Sequence, residues 1–146
     1  MVRRPVAFAT AIVLFVEAVG IVLVNGVLAT VAGNQRMSLA GMDPDHMVTG
    51  TWVMGGVSGA LLLLCGLIPL LAGIRDRAPG RPARIALIAC AVVHGVLGAL
   101  AVGLIGWAAF AFLMAVLALI VLTLVVFERR EPEAGRPGAG QAPAPV

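Results

Sequence analysis

Lysine and tyrosine are absent from this sequence, and charge of either sign is scarce. Charged residues make up 12% of its 146 positions, about half the share of an ordinary soluble domain. Hydrophobic residues make up 61%, more than a soluble core can hide, so the composition is that of a membrane protein. Only two cysteines occur, Cys65 and Cys90, both inside apolar runs and without a CxxC, which excludes a secreted disulfide framework and the usual dithiol redox motif. No stripe of basic and aromatic residues is present, so the net charge of +3 and the pI near 10.1 do not point to nucleic acid. They come from arginines flanking apolar runs, which fits anionic lipid headgroups. No Ser–His–Asp set, HExxH, nucleotide motif or glycine-rich phosphate loop can be read. No catalytic residue is assigned, no cofactor is implied, and a non-enzymatic protein is expected.

What the chain does have is length of apolar run. A bilayer core of about 30 Å takes roughly 20 helical residues. The runs at about residues 5–31 and 48–74 each qualify. The uncharged stretch Ile85–Phe127 would be about 65 Å long as one helix, twice the membrane, so it must fold back. Gly103 and Gly106 mark the expected turn, with Trp107 at the interface, giving spans at about 84–104 and 107–127. The expected fold is an all-α, four-helix antiparallel transmembrane bundle over residues 1–127.

Arginine placement orients it. Arg3 and Arg4 precede the first span; Arg75, Arg77, Arg81 and Arg84 fill the second connection; Arg129, Arg130 and Arg136 follow the fourth. With an even number of spans these share one side, which the positive-inside rule makes cytoplasmic, leaving Arg36 opposite. The expectation is a multi-pass cell-membrane protein with both termini inside. A signal peptide ending at Thr30-Val31-Ala32 competes for the first run, which is well beyond the 7–15 residues of a signal core. Residues 128–146, rich in Pro, Gly and Ala with mixed charge, read as a disordered cytoplasmic tail.

Glu17 is the only charged residue inside any apolar span. In lipid a carboxylate must be protonated, paired or used. Counted from the cytoplasmic boundary at 1.5 Å per residue, Glu17 lies near ~17 Å, His94 near ~15 Å, Cys65 near ~12 Å and Cys90 near ~9 Å. The four fall in one central slab. Faces agree: Thr10 and Glu17 share a side of the first helix with Gly20 close by, Thr51, Ser58, Cys65 and Ala72 recur every seventh residue, and Cys90, His94, Gly98 and Ala101 line one face of the third. Gly55 and Gly59 allow close helix approach, and Pro69 frees the Cys65 carbonyl from its helical bond. Glu17, His94, Cys65, Cys90 and Ser58 form the expected intramembrane polar cluster. A Glu17–His94 pair would serve as a proton relay or cation site, or as a neutral bond holding helices together. Burial favours the neutral acid, and a protonated His94 beside it the carboxylate. Zinc or copper on Cys65, Cys90, His94 and Glu17 is a chemical alternative, though buried cysteines usually behave as small hydrophobes.

In the first connection, Asp43-Pro44 reads as a helix cap followed by proline at the first helical position, and Asp45 suits the helix dipole. Met37, Met42, His46 and Met47 are soft ligands that could capture copper(I), against their simpler role as lipid or packing contacts.

The stretches MSLAGMDPD and CAVVHGVLGALAVGLIGW, with Glu17 in the first span, resemble small four-helix integral membrane proteins of actinobacterial type, over nearly all of the chain but its tail. That resemblance implies topology alone. Glu17-Ala-Val-Gly20 is similar to the first helix of the small multidrug resistance transporters, where a membrane-embedded Glu exchanges protons against cationic drugs. It would make Glu17 the proton and drug site. The likeness spans a dozen residues, and that family's tyrosines have no counterpart here. Three functions are thus expected in turn: a structural or interaction subunit that packs with itself or a larger membrane complex, a proton-coupled cation or small-molecule transporter using Glu17 with His94, and a metal or redox accessory protein.

Overall fold

In hydrocarbon a backbone must satisfy its own hydrogen bonds, and uninterrupted runs of Leu, Ala and Val do this as helices. The computed structural model describes residues 3–35, 41 and 43–128. It is an all-α bundle of α1 (Arg3–Asn34), α2 (Pro44–Arg75), α3 (Arg81–Leu104) and α4 (Trp107–Glu128), each long and apolar enough to cross a membrane. The helices run past the apolar stretches that announce them. Asp43 starts α2 as its cap, its carboxylate accepting from the Asp45 N–H at 2.9 Å, with Pro44 in the first turn. The α3–α4 turn rests on Gly106 alone, at φ 117°, whose N–H reaches the Ala101 carbonyl at 2.8 Å. Gly103, expected in that turn, is still helical.

Neighbouring helices are antiparallel, as the pairings show. Along α1 and α2, Gly26 meets Trp52, Asn25 meets Gly55, Val22 meets Gly59, Phe15 meets Gly66 and Ala7 meets Gly73. The seam is tight because glycine leaves room: a Cβ at Gly59 would lie 2.5 Å from Val22 Cγ2 and 3.3 Å from the Ala18 carbonyl oxygen. Gly98 likewise receives Met114, Leu113 and Phe110 between α3 and α4. The helices form a ring in which α1 packs most closely on α2, α2 and α3 touch least, and α4 closes against α1. Leu14, Leu87, Val116 and Ile120 are the buried centre, with Leu62, Cys65, Ile68 and Cys90 packed around them.

Arg3 lies over the Phe127 ring at 5.9 Å, and Ala7, Ala72 and Phe127 form a second buried cluster. The helix ends are therefore level at the arginine-bearing end of the bundle. The 32-residue α1 and α2 outlast the 24- and 22-residue α3 and α4 at the other end. The excess is about 12 Å at 1.5 Å per residue. In the most apolar stretch of each helix only 22–28% of residues are buried. Soluble monomers do not leave that much apolar surface open, so lipid or another chain must cover it.

Candidate functional site

His94 sits just past the middle of α3, on its buried face, and is 3% exposed. Glu17 is at the centre of α1, its side chain 15% exposed. Counted from the arginine end, each stands about 20 Å along its helix at 1.5 Å per residue, so parallel helices bring them level. Glu17 Oε2 and His94 Nε2 are 3.0 Å apart. The bond spans the diagonal of the ring, between two helices that are not packing neighbours.

The other ring nitrogen decides the protonation. His94 Nδ1 is 2.8 Å from the Cys90 carbonyl oxygen, one helical turn back. A carbonyl only accepts, so Nδ1 carries a hydrogen and donates. Nε2 and Oε2 then share a single proton. Either the Glu17 acid donates to a neutral ring, or an imidazolium donates to a carboxylate; the pair is electrically neutral both ways. Without that proton two lone pairs would face each other at 3.0 Å, so its loss must break the contact.

Cys90 Sγ lies 3.7 Å from His94 Nδ1, and the Cys65 thiol comes against that of Cys90 from α2. Both thiols are free. Four of the five residues expected to cluster are thus one constellation. Ser58 is half-buried on α2 and is no partner in these bonds. No family model, curated protein or solved structure matches this chain. Its function must be read from its own geometry. Among the described residues no group of three or more His, Cys, Asp or Glu is arranged to hold a metal ion. In the first connection His46 is exposed and Met47 half-buried, while Met37 and Met42 lie outside the described residues, as does the expected tail beyond Glu128.

A second polar contact lies nearer the arginine end. Thr10 and Thr123 Oγ1 are 2.8 Å apart, and both hydroxyls reach the Leu119 carbonyl, at 3.2 and 2.9 Å. Both residues are 1% exposed. The sequence reading placed Thr10 on the Glu17 face and missed Thr123, although it is the one hydroxyl in α4. Asn25 was missed too. It lies two turns beyond Glu17, bonds the Ile21 carbonyl at 2.8 Å and packs against Gly55. Among the described residues no buried side-chain nitrogen or oxygen lacks a partner.

Proposed function

We propose that this chain is a multi-pass membrane protein, of the small four-helix kind it resembles, that serves as a non-enzymatic subunit of a membrane assembly. Both termini face the cytoplasm in this reading, because Arg3, Arg4, Arg75, Arg77, Arg81 and Arg84 share one end of the bundle. The observation that carries it is the division of surface. Buried polar groups are spent on one another, through Glu17–His94 and Thr10–Thr123, while the outer faces are apolar. Gly20 and Gly56 have nothing within 4 Å of where a Cβ would stand, which leaves room for a second helix to approach closely. Mass measurement of the chain solubilised from its own membranes in mild detergent tests this. A homo-oligomer or a stable larger complex is expected; a lone chain carrying only lipid would overturn it.

A second reading has its own observation. Glu17 and His94 are placed to share one proton, and Glu17 keeps some exposure where His94 has almost none. A proton-coupled carrier needs an acid of that kind inside the membrane. Proton flux into liposomes driven by a gradient of a lipophilic cation is the test. A carrier loses that flux outright with Glu17→Gln, and a subunit shows none to lose.

A further inference from the structure

Two clefts open side by side at the arginine end. The first, about 330 Å³, has Ile68, Leu71, Ala72 and Arg75 of α2 on one wall and reaches Arg77. The second, about 520 Å³, lies between Arg81 and Arg84 of α3 and Leu124 and Phe127 of α4. Ala78, Pro79 and Gly80 line both and so form the partition between them.

Arg75 and Arg77 line the first cleft beside apolar residues of α2, and Arg81 and Arg84 line the second beside apolar residues of α4. Ile68, Leu71, Ala72 and Arg75 follow one another at helical spacing, so the first wall continues along α2 for about 10 Å. The partition is stiff. Pro79 fixes its own backbone and disfavours a helical Ala78, and Gly80 is extended as the N-cap of α3, with Pro82 in the first helical turn. Alpha3 begins at Gly80 without a side-chain cap, so its positive end opens at the same place. Arg75, Arg77, Arg81 and Arg84 line the two clefts, with Asp76 in the same connection and Glu128 at the end of α4. The occupant that matches is anionic at the mouth and apolar below it.

We propose that the two clefts together hold one anionic glycerophospholipid with two phosphates joined by a glycerol bridge, a diphosphatidylglycerol, with a phosphate on each side of the Ala78–Gly80 partition. Three residues span at most ~10 Å, which a bridged headgroup can straddle. Arginine suits the task, since its planar fork binds phosphate oxygens in pairs. Acyl chains lie along Leu71 on one side and Leu124 on the other. The proposal goes beyond general headgroup attraction and rests on the bilayer reading above. That reading fails separately, if the chain stays in solution when membranes are pelleted without detergent.

The experiment titrates the full chain in an uncharged detergent with diphosphatidylglycerol, phosphatidylglycerol or inorganic phosphate, read by native mass spectrometry and thermal unfolding. One diphosphatidylglycerol per chain is expected to survive an excess of phosphatidylglycerol, with no protection from inorganic phosphate. Arg77→Gln with Arg81→Gln should weaken retention by roughly thirty-fold, at about 1 kcal/mol per arginine. Arg77→Lys with Arg81→Lys keeps the charge and retains most of the binding, which separates a lost contact from a misfolded chain. Arg4→Gln, at the same end but outside both clefts, should change nothing. Equal retention of both lipids per phosphate, competition by inorganic phosphate, or an equal loss with Arg4→Gln would overturn the proposal.

Discussion

Glu17 Oε2 and His94 Nε2 meet at 3.0 Å with room for one proton, because the Cys90 carbonyl at 2.8 Å occupies the hydrogen on the other ring nitrogen. The consequences differ between two substitutions at one position. Glutamine has both a donor and an acceptor, so Glu17→Gln keeps the contact in either protonation state of His94. It should cost under about 1 kcal/mol in a membrane unfolding assay, the usual worth of an interhelical polar bond. Glu17→Ala leaves Nε2 buried and unpaired, a loss of about 1–3 kcal/mol. Equal losses would mean that the two groups do not bond in the bilayer.

The packing of α1 on α2 makes a sharper forecast, because two glycines three residues apart on α2 differ completely in surroundings. At Gly59 an added Cβ would meet Val22 at 2.5 Å and the backbone of α1 at 3.3 Å; three residues earlier, at Gly56, it would meet nothing within 4 Å. Gly59→Ala should push the helices apart and destabilise by about 1–3 kcal/mol. Gly56→Ala should be neutral or slightly stabilising in the monomer, since alanine is the better helix former. Thermal unfolding of both variants in detergent checks this. If Gly56→Ala also shifts the oligomeric state, the open face at Gly56 is the contact between chains.

Much of this architecture was legible in the chain, and the reason is physical. A bilayer forces helices of a given length, so three apolar stretches and one fold-back point in the longest name four helices. Counting along helices also put Glu17 and His94 at one depth before any coordinates did. Whether they touched was not legible, because depth says nothing of rotation about the helix axis; that follows from α1 and α3 facing each other across the ring. Thr123 escaped notice because a lone threonine in an apolar run has a local solution, bonding its own i−4 carbonyl. Thr123 does bond Leu119 in this way, and Thr10 uses the same carbonyl from α1. The loop that holds Arg77 and Arg81 was read as a topology signal and a general contact for lipid headgroups, without the clefts. The second cleft needs Leu124 and Phe127, which lie more than forty residues away in sequence.

The Thr10–Thr123 contact supplies a control for the Glu17 results. Thr123→Val keeps the shape and removes the hydroxyl. Thr10 retains carbonyls at Val6 and Leu119 for its one hydrogen, so nothing buried is left without a partner. The expected cost is about 0.5–1.5 kcal/mol. Thr10→Val with Thr123→Val should cost less than the sum of the single changes, because both groups of one contact are then gone. Additive losses would show that the two hydroxyls bond only to their own helices.

The shared proton leads to a spectroscopic forecast in reconstituted bilayers, with Glu17→Gln as the subtraction control. Carboxyl and imidazole bands should change together within a step, since the coupled pair binds its protons as a unit: one step removes the shared proton, and a separate one at lower pH adds a second. Breaking the pair frees the ring, so the step should also shift the His94 signals that report its bond to Cys90. A step that moves the carboxyl bands alone and another that moves the imidazole bands alone would mean that the two groups do not share a proton. A single step inside the range about pH 6–8.5 is what a carrier needs, because its acid must exchange under working conditions. Bands that stay unchanged across that range mark the pair as a fixed bond between α1 and α3, and the search for function then moves to the proteins this bundle packs against.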